Sequence, residues 1–236
     1  MSVFRFKQFM VDQAGCAMKI NTDGVLLGAM AQMEAPKRIL DIGTGTGVIA
    51  LMLAQRFPLA IVDAIEIDAE AARTAGRNFQ NSPFADRISC HAVALGDFEP
   101  KYHYDLMVSN PPYFLHSLKN QDVRKRIARH ADISFFDQLL ERSARWLTPK
   151  GGVQLILPIS LANDVGRQAE DGYGMVVQGA ATIRSFSTHP PIRCVLAIGK
   201  ATGNPEFGER EFLIYEGKGV YSPAYRKLLK DFFLAF

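Results

Sequence analysis

Apolar and polar positions change rhythm along this chain, and the changes mark its elements. Residues 1–20 alternate, with Phe4, Phe6 and Phe9 set among polar neighbours, which predicts a short strand or hairpin. Asn21-Thr22-Asp23-Gly24 supplies turn and capping chemistry, with Thr22 and Asp23 read as the cap of a small-residue helix from Val25 to Met33. From Lys37 short apolar runs alternate with segments of helical spacing. Strands are expected at 38–42, 60–67, 87–93, 105–109 and 153–158, and helices at 47–57, 69–80, 134–147 and 160–171. Two more strands, near 175–186 and 193–201, have no helix between them, and 222–236 reads as an amphipathic terminal helix. This order predicts an α/β fold with a doubly wound, mostly parallel seven-stranded sheet, the last two strands forming an antiparallel hairpin at one edge.

Composition narrows the classes without choosing among them. Of 236 residues, 48% are apolar, ample for a buried core, and no repeat or low-complexity tract interrupts them. The formal net charge of +3 means that a nucleic-acid partner would be held by a local basic patch, not by global charge. Cys16, Cys90 and Cys194 are odd in number and none sits at metal-ligand spacing, while the five histidines form no His-x-x-x-His pair. Reduced thiols in a cytoplasmic protein, and no metal, are therefore expected. Charges lie near the N-terminus where a signal peptide needs an apolar core, and no apolar run reaches the ~20 residues that span a bilayer, so no membrane association is expected.

Chemistry enters at Asp41-Ile-Gly-Thr-Gly-Thr-Gly47, between an expected strand and an expected helix. Gly43 and Gly45 permit a tight turn and leave no side chain between backbone and ligand, and Gly47 permits close helix packing. Glu66, at the end of the next strand, is placed where an acid accepts hydrogen bonds from ribose hydroxyls. Without such a ligand the segment would be only a strand-to-helix turn. The spacing is not the G-x-G-x-x-G that seats a pyrophosphate at a helix N-terminus, and Asp41 at its front would repel one. An acid there suits a ligand carrying an ammonium group, such as the methionine moiety of S-adenosylmethionine. The order Asp41, three glycines, Glu66 resembles the class I S-adenosylmethionine-dependent methyltransferases, a Rossmann-like fold.

The fourth expected strand ends in Ser109-Asn110-Pro111-Pro112-Tyr113. Pro111 and Pro112 stiffen this turn and remove backbone donors. The side-chain oxygen of Asn110 and the carbonyl of Pro111 can each accept a hydrogen from one NH2 group, and Tyr113 offers a ring for a flat base. Such acceptors answer a definite need. A conjugated exocyclic amine or an amide nitrogen is a poor nucleophile, and acceptors on its hydrogens stabilise the positive charge that develops as a methyl arrives. Together with the glycine loop, this order resembles the amino-methyltransferases, whose targets are adenine N6, cytosine N4, guanine N2 or glutamine N5. Asn-Pro-Pro-Tyr is most similar to the adenine N6 and glutamine N5 enzymes.

Lys119, Arg124, Lys125, Arg126, Arg129 and His130 follow this motif, and Arg124, Arg126 and Arg129 are the candidates for RNA phosphate contact; the plainer alternative is a solvated charged face. The runs Phe6-Lys7-Gln8-Phe9, Cys16 to Lys19, Thr22 to Gly28, Leu51 to Gln55 and Tyr221-Ser222-x-Ala224-Tyr225 complete a pattern over nearly the whole chain. It closely resembles the bacterial valine-tRNA adenine-37 N6-methyltransferase family. That resemblance implies S-adenosylmethionine as cofactor, tRNA as partner and a monomer. It also implies an extension, 1–35, over the cofactor pocket before a methyltransferase domain, 36–236. Lys19, Thr22 and Asp23 would border that pocket or its lid. In one place the chain departs from it. The acid that relatives place after the third strand is here Ala94, and Asp97 is the candidate replacement. Three other classes share parts of this pattern. A release-factor glutamine methyltransferase usually carries a separate helical N-terminal domain, for which 1–35 is too short. A DNA adenine methyltransferase usually carries a recognition insertion. A noncatalytic S-adenosylmethionine- or RNA-binding protein would not need the intact run Asn110 to Tyr113.

Overall fold

The computed structural model describes residues 3–112, 123–201 and 207–236, with side chains throughout except at 123–133. The alternating start forms a hairpin, β1 (Val3–Arg5) against β2 (Met10–Asp12). Phe6 and Phe9 lie at its turn, buried, with ring centroids 4.5 Å apart. The first helix, α1 (Thr22–Met30), begins earlier than Val25 and stops before Met33. Its cap is Asn21, whose side chain accepts from Gly24 N at 2.8 Å, so Thr22 and Asp23 occupy the first turn rather than the cap. Its end is set from outside. Arg56 Nη1 donates to Gly28 O at 3.0 Å and to Ala31 O at 2.6 Å, taking carbonyls at its C-terminal end.

The alternating elements then follow in the expected order. They are β3 (Arg38–Ile42), α2 (Val48–Arg56), β4 (Ile61–Glu66), α3 (Ala69–Gln80), β5 (Ile88–Ala92) and β6 (Tyr104–Ser109). Next come α4 (Val123–Trp146), β7 (Leu147–Leu157), α5 (Ile159–Tyr173), β8 (Met175–Arg184) and β9 (Arg193–Lys200). The chain finishes with β10 (Gly208–Leu213), β11 (Tyr215–Gly217), β12 (Val220–Tyr221) and α6 (Pro223–Leu229). The main sheet runs β10-β8-β9-β7-β6-β3-β4-β5. It is the mostly parallel, doubly wound sheet expected, with β9 antiparallel to β7 and β8. It has an eighth strand beyond the expected seven: β10 lies parallel to β8, so the antiparallel pair does not end the sheet. The sequence of β10, Gly-Glu-Arg-Glu-Phe-Leu, is half charged with no fully buried position, and offers no apolar run to read.

The sheet separates two cores. One packs α1, α2, α3 and α6 against one face, through Leu26, Leu27, Leu51, Leu53, Phe79 and Leu229. The other packs α4 and α5, through Phe136, Leu139, Leu140 and Val165. The terminal helix is shorter than 222–236 because the tail folds back. The Phe232 amide returns to Leu229 O at 2.9 Å, and Lys7 Nζ takes Lys230 O and Phe236 O at 2.5 and 2.7 Å. Phe232 is thereby buried beside the N-terminal hairpin. Among the described residues, no helix is long and apolar enough to cross a membrane.

Candidate active site

Strands β3, β4, β5 and β6 are mutually parallel, so their carboxyl ends open along one edge of the sheet, the position of ligand crevices in this architecture. The glycine loop lies there, between β3 and α2. Gly43, Gly45 and Gly47 have φ of +70°, +55° and +83°, a region that costs an L side chain about 1–2 kcal/mol. A β-carbon on Gly43 or Gly45 would meet nothing within 4 Å, so this face of the loop is bare backbone. At Gly47 it would run into the Phe79 ring, which accounts for close packing of α3 on the loop. Glu66 splints the turn: Oε2 accepts from Gly45 N at 2.8 Å, and Oε1 from Asp68 N at 3.0 Å. Each oxygen keeps a second lone pair for a hydroxyl.

Asp41 is fully buried at the root of this loop. Its Oδ2 accepts from Thr44 Oγ1 at 2.6 Å and from Ala50 N at 3.2 Å. Its Oδ1 is buried without a hydrogen-bond partner among the described residues. Burial pushes the carboxyl up to about 7, against the lowering by Thr44 and Ala50. A carboxylate oxygen desolvated without a donor is costly, and a cationic donor arriving beside it removes that cost. The orphaned oxygen and the bare loop fit the ammonium end of S-adenosylmethionine.

Asn78 is a functional candidate that sequence reasoning missed. It lies on the buried face of α3, where Asp12 N donates to its Oδ1 at 2.9 Å. Its Nδ2 donates to Asp12 O at 2.8 Å and Thr46 O at 2.9 Å. One side chain thus ties β2 to the glycine loop. Thr74 Oγ1, a turn away, donates to Ala14 O at 2.8 Å, extending the seam. The only sequence signal was a polar residue on a stripe of Ala71, Ala72, Ala75 and Phe79.

Beside the loop, β6 pairs with β3 in the register Asp41↔Val108 and Ile42↔Ser109, and Ser109 Oγ donates to Ile42 O at 2.8 Å. Asn110 therefore leaves the sheet one residue past a strand end adjoining the glycine loop. It is half-buried, Pro111 is buried and Pro112 exposed. The first turn of α1 abuts it: a β-carbon on Gly24 would lie 3.6 Å from Asn110 Nδ2 and 3.5 Å from Asn21 Oδ1. Asp23 is held by Arg193 Nε at 2.8 Å, joining α1 to the start of β9. Lys19 is exposed in the segment leading to α1. Tyr113 lies outside the described residues. Arg124, Arg126 and Arg129 fall on the first half of α4, and their side chains also lie outside them.

On the other side of the loop, a cavity of about 350 Å³ lies at the ends of β3, β4 and β5. Ile42, Ile65, Ile67, Val93 and Phe135 supply an apolar wall, and Ser134 and Gln138 the polar side chains. Ala94, Leu95 and Gly96 line it, whereas Asp97, the candidate acid, does not; it is exposed, with its amide donating to Ala94 O at 3.1 Å. The cleft is therefore apolar at the β5 end and polar where Asp41 and Asn110 stand.

Residues 16–158 match the Methyltransferase small domain family. Across the whole chain, a protein of Pedobacter heparinus is 52% identical over 235 residues, covering 100% of this chain and 99% of the relative. One of Dyadobacter fermentans is 39% identical, covering 99% and 98%. Both are named tRNA1(Val) (adenine(37)-N6)-methyltransferase. Among solved structures, a predicted O-methyltransferase from Agrobacterium tumefaciens superposes with a TM-score of 0.64 at 20% identity, covering 89% of this chain and 96% of that one. A methyltransferase from Pyrococcus furiosus gives 0.56 at 22% identity, covering 79% and 90%. At these identities the two structures speak for the fold alone.

Proposed function

The chain belongs to the Methyltransferase small domain family and, by its whole-length relatives, to the tRNA1(Val) (adenine(37)-N6)-methyltransferases, and from that premise we infer that it methylates N6 of adenine 37 in tRNA(Val). The observation that carries this reading is the placement of Asn110-Pro111 at the end of β6, paired in register beside the strand that bears Asp41 and the glycine loop. S-adenosylmethionine supplies a methyl group activated by its sulfonium. The residues bind, orient and stabilise. Asp41 Oδ1 takes the ammonium end, the backbone of Gly43 and Gly45 lies against the cofactor, Gly47 keeps α3 close, and Glu66 accepts from the ribose.

The apolar cavity would hold the cofactor's adenine, and Asn110 stands beyond the glycine loop at the other end of the cleft, where the target amine would be bound. There the Asn110 side-chain oxygen and the Pro111 carbonyl accept the two hydrogens of the target amine. That favours a pyramidal nitrogen and stabilises charge that exists only as the bond forms. Pro112 stiffens the turn and Tyr113 stacks on the base. No strong general base is needed, because the methylated ammonium is acidic and loses its proton afterwards. Lys19, Thr22 and Asp23 border the mouth. Arg124, Arg126 and Arg129 hold phosphates of the anticodon loop, whose unpaired base costs less to present than one extruded from a duplex. In this reading the enzyme works as a cytoplasmic monomer, with 1–35 as the cover of the cofactor pocket.

The test is transfer of labelled methyl from S-adenosylmethionine to unmodified tRNA, followed by nucleoside analysis. N6-methyladenosine is the expected product. Label appearing in a release-factor glutamine while tRNA stays unlabelled would keep the pocket and overturn the substrate.

A further inference from the structure

An adenine ring in an apolar cavity brings an exocyclic amino group that must keep an acceptor, since burying it unpaired costs about 1–3 kcal/mol. Ala94, at the cavity wall, supplies none from its side chain, and Asp97 is exposed and not part of the lining. The polar side chains on the lining are Ser134 and Gln138, both from α4. Ser134, Gln138 and Arg142 stand at i, i+4 and i+8, hence on one face of that helix. Arg142 Nη2 donates to Gly96 O at 2.8 Å and so fixes this face against the turn 95–97. Gln138 Nε2 donates to Ser134 Oγ at 3.3 Å, which turns the other end of the amide, the acceptor Oε1, to the turn. A β-carbon on Gly96 would lie 2.9 Å from that oxygen, so the glycine makes the room it occupies.

We propose that Gln138 is a specificity-determining residue for the cofactor, its Oε1 accepting a hydrogen bond from the adenine amino group, with Ser134 and Arg142 as positioning residues. This rests on the methyltransferase reading and adds to it the group that distinguishes adenine from a 6-oxo purine. An amino group donates to Oε1, whereas a 6-oxo oxygen in the same place opposes it unless the amide turns over and gives up Ser134.

The experiment is calorimetric binding of S-adenosylhomocysteine and its 6-oxo (inosine) analogue to the wild-type chain, Gln138→Leu and Gln138→Glu. The wild type should prefer the amino compound by about tenfold. Gln138→Leu should lose about that factor for the amino compound and most of the preference, and Ala94→Asp added to it should restore both by offering a new acceptor. Gln138→Glu, which can only accept, should keep amino-compound binding and reject the 6-oxo analogue more strongly than wild type. Unchanged affinity and preference in a folded Gln138→Leu would overturn the assignment of Gln138 and leave the enzyme reading standing. Failure of the wild type to bind S-adenosylhomocysteine at all would overturn the reading beneath it. If Gln138→Leu does not fold, Gln138→Glu decides alone: no gain in discrimination refutes the proposal.

Discussion

One end of the cleft spends electrostatic free energy and the other collects apolar area. At the β6 side stand Asp41, buried with one oxygen unpartnered, and Asn110, held beside the first turn of α1. At the β5 side stand Ile65, Ile67, Val93 and Phe135 around a cavity of about 350 Å³. A flat apolar ring gains from the second surface roughly in proportion to the area buried. It gains nothing from the first, which is unfavourable until a cationic donor arrives. In the proposed reading, the contrast would give the cofactor a direction, and with it the place where the methyl is delivered.

The sharpest break in that contrast is at Asn110. Asn110→Ala should lower turnover on the order of a hundredfold or more, the range for losing one group that stabilises developing charge, while S-adenosylhomocysteine binding measured by calorimetry changes little. Equal losses in binding and turnover would make Asn110 part of the cofactor site instead. Asp41→Asn comes next. It removes the charge that meets the ammonium, so S-adenosylhomocysteine affinity should fall by about tenfold or more.

The same substitution should stabilise the free chain, with a definite pH dependence. Folding raises the Asp41 pKa from 3.8 to about 7, so the folded chain holds that proton more tightly than the unfolded chain does. The stability this lends is present at low pH and is lost as pH rises through that window. The melting temperature of Asp41→Asn relative to wild type should therefore climb between about pH 4 and pH 7 and level off above. Wild-type cofactor affinity should rise over the same interval and level off above it, because binding favours the ionised carboxylate. A flat difference in melting temperature would contradict the buried-charge account.

Asn78→Ala tests whether the polar end depends on the N-terminal hairpin. Losing its bonds to Asp12 and Thr46 should cost about 1–3 kcal/mol of stability, read as a lower denaturation midpoint, and weaken cofactor binding a few-fold by loosening the glycine loop. The smallest effect belongs to Asp97→Asn. Outside the cavity lining, it should leave cofactor binding within about twofold.

What the sequence revealed and concealed divides along similar lines. The glycine loop, Glu66 and Asn110-Pro111-Pro112 were legible because short-range backbone chemistry fixes them: each ends a strand, and parallel strands bring such ends to one edge. Asn78 and Gln138 were not. Asn78 acts through Asp12, 66 residues away in sequence, and Gln138 through a turn on another element. The cap of α1 was misplaced because Asn21, Thr22 and Asp23 are all capping residue types. Only the extended backbone at Asn21, φ −130°, singles it out. Strand β10 escaped because it is a half-charged edge, where pairing rather than apolar pattern makes a strand. Two of the misjudged helix ends are set by distant groups, Arg56 on α1 and the folded-back tail on α6, whereas α4, expected from 134, begins at Val123.

The most direct measurement of the central claim uses two valine-tRNA transcripts, one natural and one with adenosine 37 replaced by guanosine, each incubated with the wild-type chain and labelled S-adenosylmethionine. Stoichiometric N6-methyladenosine in the first and none in the second is the predicted result. Equal labelling of both, or label in neither with S-adenosylhomocysteine binding intact, would contradict it.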